Sequence, residues 1–89
     1  MANASSPEPA NESRDALQEG IKAAQAGDRP GARSLLLRAA SLDPQTENAW
    51  LWLASISEYP EELMVFLTNV LDINPENPRA VEWTAAIAR

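Results

Sequence analysis

A pattern that returns after 31 residues constrains this chain more than any other feature. A shift by that interval takes Leu36 to Leu67, Leu42 to Ile73, Pro44 to Pro75 and Ala49 to Ala80, and then Trp52 to Trp83, Ala54 to Ala85 and Ile56 to Ile87. Self-similarity at periods of about 20 to 50 residues marks a unit that cannot bury its own apolar face and stacks on copies of itself. The spacing of apolar residues inside the unit says what it is made of.

The most apolar run, Asn48 to Ile56, lies near the middle of the chain. Trp50, Leu53, Ala54 and Ser57 fall at i, i+3, i+4 and i+7, and Trp52 with Ile56 makes a second pair at i, i+4. A helix apolar on two sides needs neighbours on two sides. Helical spacing on either side supplies them: Leu17, Gly20, Ile21 and Ala24; Ala32, Leu35, Leu36, Ala39 and Leu42; Leu63, Phe66, Leu67, Val70 and Ile73; and Val81, Thr84, Ala85 and Ala88 with Trp83 and Ile87. The breaks between them are chemically explicit. Gly27 suits a left-handed helix end, Asp28 can cap the second helix, and Pro30, Pro60 and Pro78 are tolerated in first turns. Asp43-Pro44 and Asn74-Pro75 close two helices, because proline disfavours helical geometry in the residue before it. Ser13, Thr46 and Asn77 are the expected caps of the first, third and fifth helices. The prediction is an all-α fold of about five helices, at roughly 14–26, 29–42, 47–57, 60–73 and 78–89.

Residues 1–12 are small and polar, with Pro7 and Pro9, and are expected to form a disordered tail ahead of a helical domain over 13–89. The fifth pattern reaches Arg89 without a stop signal, which points to a longer protein.

Several function classes are disfavoured by composition. Cysteine and histidine are both absent, which removes disulfides, thiolate or imidazole metal sites and every nucleophile–histidine pair, so no enzymatic role and no cofactor are expected. The lack of cysteine fits a cytoplasmic setting. A net charge of −6 argues against nucleic acid as the ligand. No apolar run approaches the ~20 residues that span a bilayer, so membrane insertion is not expected. Charge is also polarised: Lys22, Arg29, Arg33 and Arg38 crowd one stretch, whereas Asp43, Glu47, Glu58, Glu61, Glu62, Asp72 and Glu76 come after it with no base among them. These are either solvated helix faces or the two ends of a head-to-tail contact between copies.

With the repeat and its breaks established, the chain resembles the tetratricopeptide repeat, whose unit is a pair of antiparallel helices. The residues that carry the likeness are Gly20, Gly27-Asp28, Ala32, Ala39 and Leu42-Asp43-Pro44 in a first unit, and Trp50, Leu53, Ala54, Leu67, Ile73 and Pro75 in a second. Val81 and Ala85 stand at the expected places of a third, half unit. Ala16 and Glu19 depart from it, where the family prefers large apolar residues, and so does a trimmed turn at Glu58 to Pro60. Similar short-turn repeats with a Trp-Leu-Trp-Leu core occur in N-terminal parts of larger bacterial proteins, and this chain resembles one of them.

The resemblance implies an α-α superhelix whose inner surface comes from the first helix of each pair and holds a helix or extended peptide of another protein, as an adaptor or scaffold does. It assigns that surface to Leu17 and Ile21, to Asn48, Leu51, Trp52 and Ser55, and to Arg79, Glu82 and Trp83, with Arg14, Gln25 and Ala86 on the same stripes. Trp50 is expected in the core. Trp52 and Trp83 are either aromatic anchors for a partner or packing for Ile56 and Ile87. Family members that grip a peptide's C-terminal carboxylate use Lys, Arg and Asn at positions held here by Leu17, Ile21 and Trp52, with only Arg79 basic, so an apolar groove with polar rims is expected instead. Tyr59 is either an exposed contact or a lid over the hairpin. The alternative function is structural: weak self-association of the basic first hairpin with the acidic second hairpin of another copy.

Overall fold

The computed structural model describes residues 9–88, and within them five helices and no strand: α1 (Pro9–Gln25), α2 (Arg29–Leu42), α3 (Glu47–Ile56), α4 (Pro60–Ile73) and α5 (Pro78–Ala88). Four of the five expected helices match within one or two residues at each end, the normal uncertainty of helix boundaries. The first does not. Ser13 is not its cap but lies a full turn inside α1, almost completely buried, with its Oγ donating to the Ala39 carbonyl at 2.9 Å. Glu12, placed in the expected tail, sits in the first turn of α1 and pairs with Arg38 at 3.2 Å. Polar contacts to α2 thus hold the helix beyond the point where its apolar stripe ends, and Pro9 fits a first turn because its missing N–H would have no partner there. The rest of the expected tail, residues 1–8, lies outside the described residues.

The turn after α1 is closed as its sequence dictates. Gly27 takes φ 86°, Gly27 N–H donates to Ala24 at 3.1 Å and Asp28 N–H to Ala23 at 2.9 Å, which satisfies two carbonyls at the helix end. Asp28 Oδ1 then accepts from Gly31 N–H at 3.0 Å and caps α2. Gly20 has a different task. A Cβ there would stand 2.8 Å from both Cγ and Cδ2 of Leu36, so its absence is what lets α1 lie against α2.

The 31-residue interval is reproduced in three dimensions. Leu36 and Leu67 are both fully buried, as are Ala39 and Val70, and Ala49 and Ala80. The two loops coincide in detail. Asp43 and Asn74 take φ, ψ of −143°, 89° and −141°, 93°, and their N–H groups donate to Ala39 and Val70 at 3.0 and 2.8 Å. Their side-chain oxygens accept from Gln45 N–H and Glu76 N–H, each at 3.1 Å. The next caps along the chain diverge: Thr46 makes no side-chain bond, whereas Asn77 Oδ1 accepts from Ala80 N–H at 3.0 Å. Asn77 and Asn74 also donate through Nδ2 to one oxygen of Glu47, which ties the start of α3 to the α4–α5 turn.

Packing runs from each helix to the next, with α1 also reaching α3, over principal extents of 55 × 28 × 18 Å. One core joins Ala32, Leu36, Leu53, Ala54, Phe66, Leu67, Val70 and Ala80. A smaller cluster of Ala16, Ala39, Ala40 and Ala49 fills the end where Ala16 stands in the place that Trp50 occupies in the next hairpin. Trp50 itself is half-buried: its ring lies 6.1 Å from that of Phe66, and Nε1 donates to the Pro44 carbonyl at 2.9 Å. The side chain packs against both apolar clusters, and the indole keeps its polar edge at the loop. The interval also fails informatively at α5. Val81 is 47% exposed and Ala85 is exposed, although their counterparts Trp50 and Ala54 are covered. α4 covers that face of α3, and no described helix comes after α5 to do the same.

Candidate functional site

The first helices of the hairpins are α1, α3 and α5, and the candidate surface is drawn from their outward stripes. Leu51 and Trp52 are half-buried on α3, and Ser55 is exposed with its Oγ donating to the Trp52 carbonyl at 2.7 Å, a bond that uses its one proton within the helix. Arg79 of α5 meets these three across a depression of about 70 Å³. Ser55 also edges a larger depression of about 360 Å³, formed with Ala54, Ser57, Leu63, Trp83, Ala86 and Ile87. Five of the nine expected residues (Leu51, Trp52, Ser55, Arg79 and Trp83) therefore border two adjoining hollows along the α3–α5 seam. Leu17 and Ile21 are half-buried, and Leu17 packs against both apolar clusters, so its role is largely internal. Asn48 and Glu82 are exposed and line neither hollow.

Leu63 and Ile87 were absent from the expected set. Leu63 belongs to a second helix, from which the family's inner surface is not drawn, but it comes early in α4, directly after the trimmed turn. Ile87, which one of the two readings of Trp83 made its packing partner, is 40% exposed. The contact expected between Trp83 and its i+4 partner thus leaves an apolar rim open to solvent. The larger hollow has an apolar floor and few polar groups, the composition of a surface that accepts side chains rather than small charged ligands.

A third depression, about 310 Å³, lies elsewhere, between the start of α2 and the α3–α4 turn, with Pro30, Ile56 and the 63%-exposed Tyr59 among its walls. Its charged groups already satisfy one another: Arg29 pairs with Glu58 at 3.3 Å, and Arg33 with both oxygens of Glu62 at 2.5 and 2.7 Å. A charged ligand would have to break those pairs, so the seam between α3 and α5 is the better site. Tyr59 is an exposed wall residue there rather than a lid. Glu58 and Glu62, which with Glu61 crowd the start of α4, are thereby engaged with arginines, and among the described residues no group of three acids could hold a metal ion. Among those residues, too, no helix is long and apolar enough to cross a membrane.

The charge polarity of the sequence also resolves into internal pairs. Arg38 meets Glu12, and Lys22 lies 3.9 Å from Glu19. All four bases of the Lys22–Arg38 stretch are accounted for within the chain.

No family model matches this chain, and no curated protein and no solved structure is similar to it. The likeness to tetratricopeptide repeats therefore rests on the residues that carry it alone.

Proposed function

We propose that this domain is a non-catalytic protein-interaction module of stacked helical hairpins, an adaptor or regulatory unit that docks a helix or extended peptide of a partner along the α3–α5 seam. One observation carries the reading: two half-buried tryptophans at equivalent places, Trp52 and Trp83, border adjoining apolar hollows flanked by Arg79 and Ser55. Large aromatic side chains that are partly covered, held on helices and rimmed by polar groups are the anchors that dominate protein interfaces. Titration of peptides against the intact protein, monitored by tryptophan fluorescence, tests it. Trp83→Ala is expected to retain the helical circular dichroism and to weaken binding at least tenfold, the size of effect seen at interface anchors, about 1.4 kcal/mol or more. Undiminished binding by that folded variant refutes the anchor.

The structural alternative, head-to-tail association of a basic hairpin with an acidic one, loses much of its driving force when the arginines of α2 are already paired within the chain. Sedimentation at low and high salt separates the two readings, because charge-driven assembly dissolves on screening.

A further inference from the structure

One outward face of α5 carries two charges that the fold does not use. Arg79, Glu82, Trp83 and Ala86 fall at i, i+3, i+4 and i+7; Trp83 is half-buried and the other three are exposed. Neither Arg79 nor Glu82 has an ion pair among the described residues, although only one turn of helix separates them. Their order explains it. An acid one turn before a base pairs well along a helix, as Glu19 does with Lys22 at 3.9 Å, and a base before an acid does so less well. An antiparallel helix reverses that order. Arg79 is also the single base between Arg38 and Arg89, in a stretch otherwise charged only by acids. Two such surfaces attract each other electrostatically only where each Arg79 meets an acid of the other copy.

Resting on the docking function proposed above, we infer that a helix docked at the seam is α5 of a second copy, antiparallel to the first and related to it by a two-fold axis. With the axis midway between Arg79 and Glu82, Arg79 of each copy lies level with Glu82 of the other, so one contact yields two ion pairs. The same reversal sets Trp83 level with Pro78 of the other copy, and the half-buried indole gains a rigid apolar neighbour in place of water. Ala86, which borders the larger hollow, has no side chain beyond Cβ and lets the two helices approach closely. Glu82, which lines neither hollow within one chain, thereby fixes the register between two. A helix of 11 residues, roughly 16 Å long and about 10 Å wide, covers far less than the ~800 Å² per partner that stable complexes bury, so the dimer is weak and reversible. A peptide and a second copy exclude one another at the seam, which makes self-association a brake on docking.

Sedimentation of the intact protein at low salt, from micromolar to millimolar concentration, tests the inference. Wild type is expected to pass from monomer to dimer and stop there, because a two-fold contact closes, whereas head-to-tail association continues to longer species. R79E leaves only acids on this face and E82R only bases, so each alone should raise the dimer dissociation constant about tenfold, as two pairs are lost at a factor of about two to five each. An equimolar mixture of R79E and E82R should recover the dimer, since each copy then faces the opposite charge at both pairs. High salt should weaken the wild-type dimer and relieve the repulsion within each variant's own. Both side chains are exposed, so the variants should keep the wild-type circular dichroism and thermal midpoint. A wild type still monomeric at millimolar concentration, a dimer indifferent to both reversals, or a mixture as monomeric as its components overturns the inference. Peptide docking then stands or falls separately, by the titration of Trp83→Ala.

Discussion

Replacement of Gly20 by alanine sets two opposed effects against each other, and the structure decides between them. Glycine inside a helix costs about 1 kcal/mol relative to alanine, so on propensity alone Gly20→Ala stabilises. The added Cβ, however, would stand 2.8 Å from Cγ and Cδ2 of Leu36 and 3.3 Å from Cβ of Leu35. Leu36 is fully buried, and the atoms obstructed include its branch point rather than only a free end, so the side chain has nowhere to swing. Forcing one methyl into such packing costs about 1 to 3 kcal/mol, which outweighs the helix gain and leaves a net loss of about 1 kcal/mol. For a domain of this size that lowers the melting midpoint by about 4 to 8 °C. The stronger test is the same substitution in Leu36→Ala, a background that itself loses about 2 to 5 kcal/mol. There the obstructing atoms are gone, the new methyl fills part of the void, and Gly20→Ala becomes stabilising by about 1 kcal/mol. Urea unfolding of the four proteins in the cold measures the coupling, expected at about 2 kcal/mol. If Gly20→Ala has the same sign in both backgrounds, close approach of α1 and α2 is not what glycine is there for.

Val70 and Val81, on α4 and α5, make a matched pair: Val70 is fully buried and Val81 is 47% exposed. Val70→Ala should cost about 2 kcal/mol in denaturant unfolding, and Val81→Ala under about 0.5 kcal/mol, so equal losses would mean that α5 is covered in solution. Arg33 and Glu62 make two bonds across α2 and α4 with Glu62 largely covered, and a double-mutant cycle to alanine should give a coupling of about 0.5 to 1 kcal/mol that falls in high salt. The more exposed Arg29–Glu58 pair should give less by the same cycle. Thr84 stands where the preceding repeat has Leu53, and its buried Oγ1 has no hydrogen-bond partner. Thr84→Val keeps the shape and removes that atom, so the thermal midpoint should rise, by an amount equivalent to about 1 kcal/mol.

Helix number, order and most boundaries were legible because each rests on local chemistry: an i, i+4 stripe, a Gly with φ 86°, an Asp cap, a proline after a helix end. The departures are all tertiary. Ser13 has the right side chain for a cap and does something else with it, since the Ala39 carbonyl 26 residues away is within reach only after α1 and α2 have packed. The arginines of α2 read as one pole of a dipolar chain, yet two of them find Glu58 and Glu62, each 29 residues on, because the hairpins stack with that offset. Asn74 and Asn77 read as helix punctuation, and their second function, holding Glu47, was invisible for the same reason. At the candidate site, Trp52, Trp83 and Arg79 came from the repeat, whereas Leu63 and Ile87 depended on how α5 sits beside the short α3–α4 turn.

Among the described residues α5 is the least covered helix, and the proposed docking at the seam draws on that. Its inward contact is centred on Ala80, with Trp83 packed only partly against the core. The equivalent face of α3 packs with Phe66 and Leu67 of α4, and Leu53 there is fully buried. On α5 the adjoining Trp83–Ile87 side ends in Ile87, open beside a hollow of about 360 Å³. A peptide docked there would displace water from apolar surface that the fold leaves uncovered, and the bonds of Asn77, from Ala80 N–H and to Glu47, fix the start of α5 without taking part in that surface. On the proposed function, affinity would come from burial at Trp83 and Ile87, so truncating either side chain should weaken binding at every salt concentration, in contrast to neutralising a rim charge, which changes mainly the salt dependence.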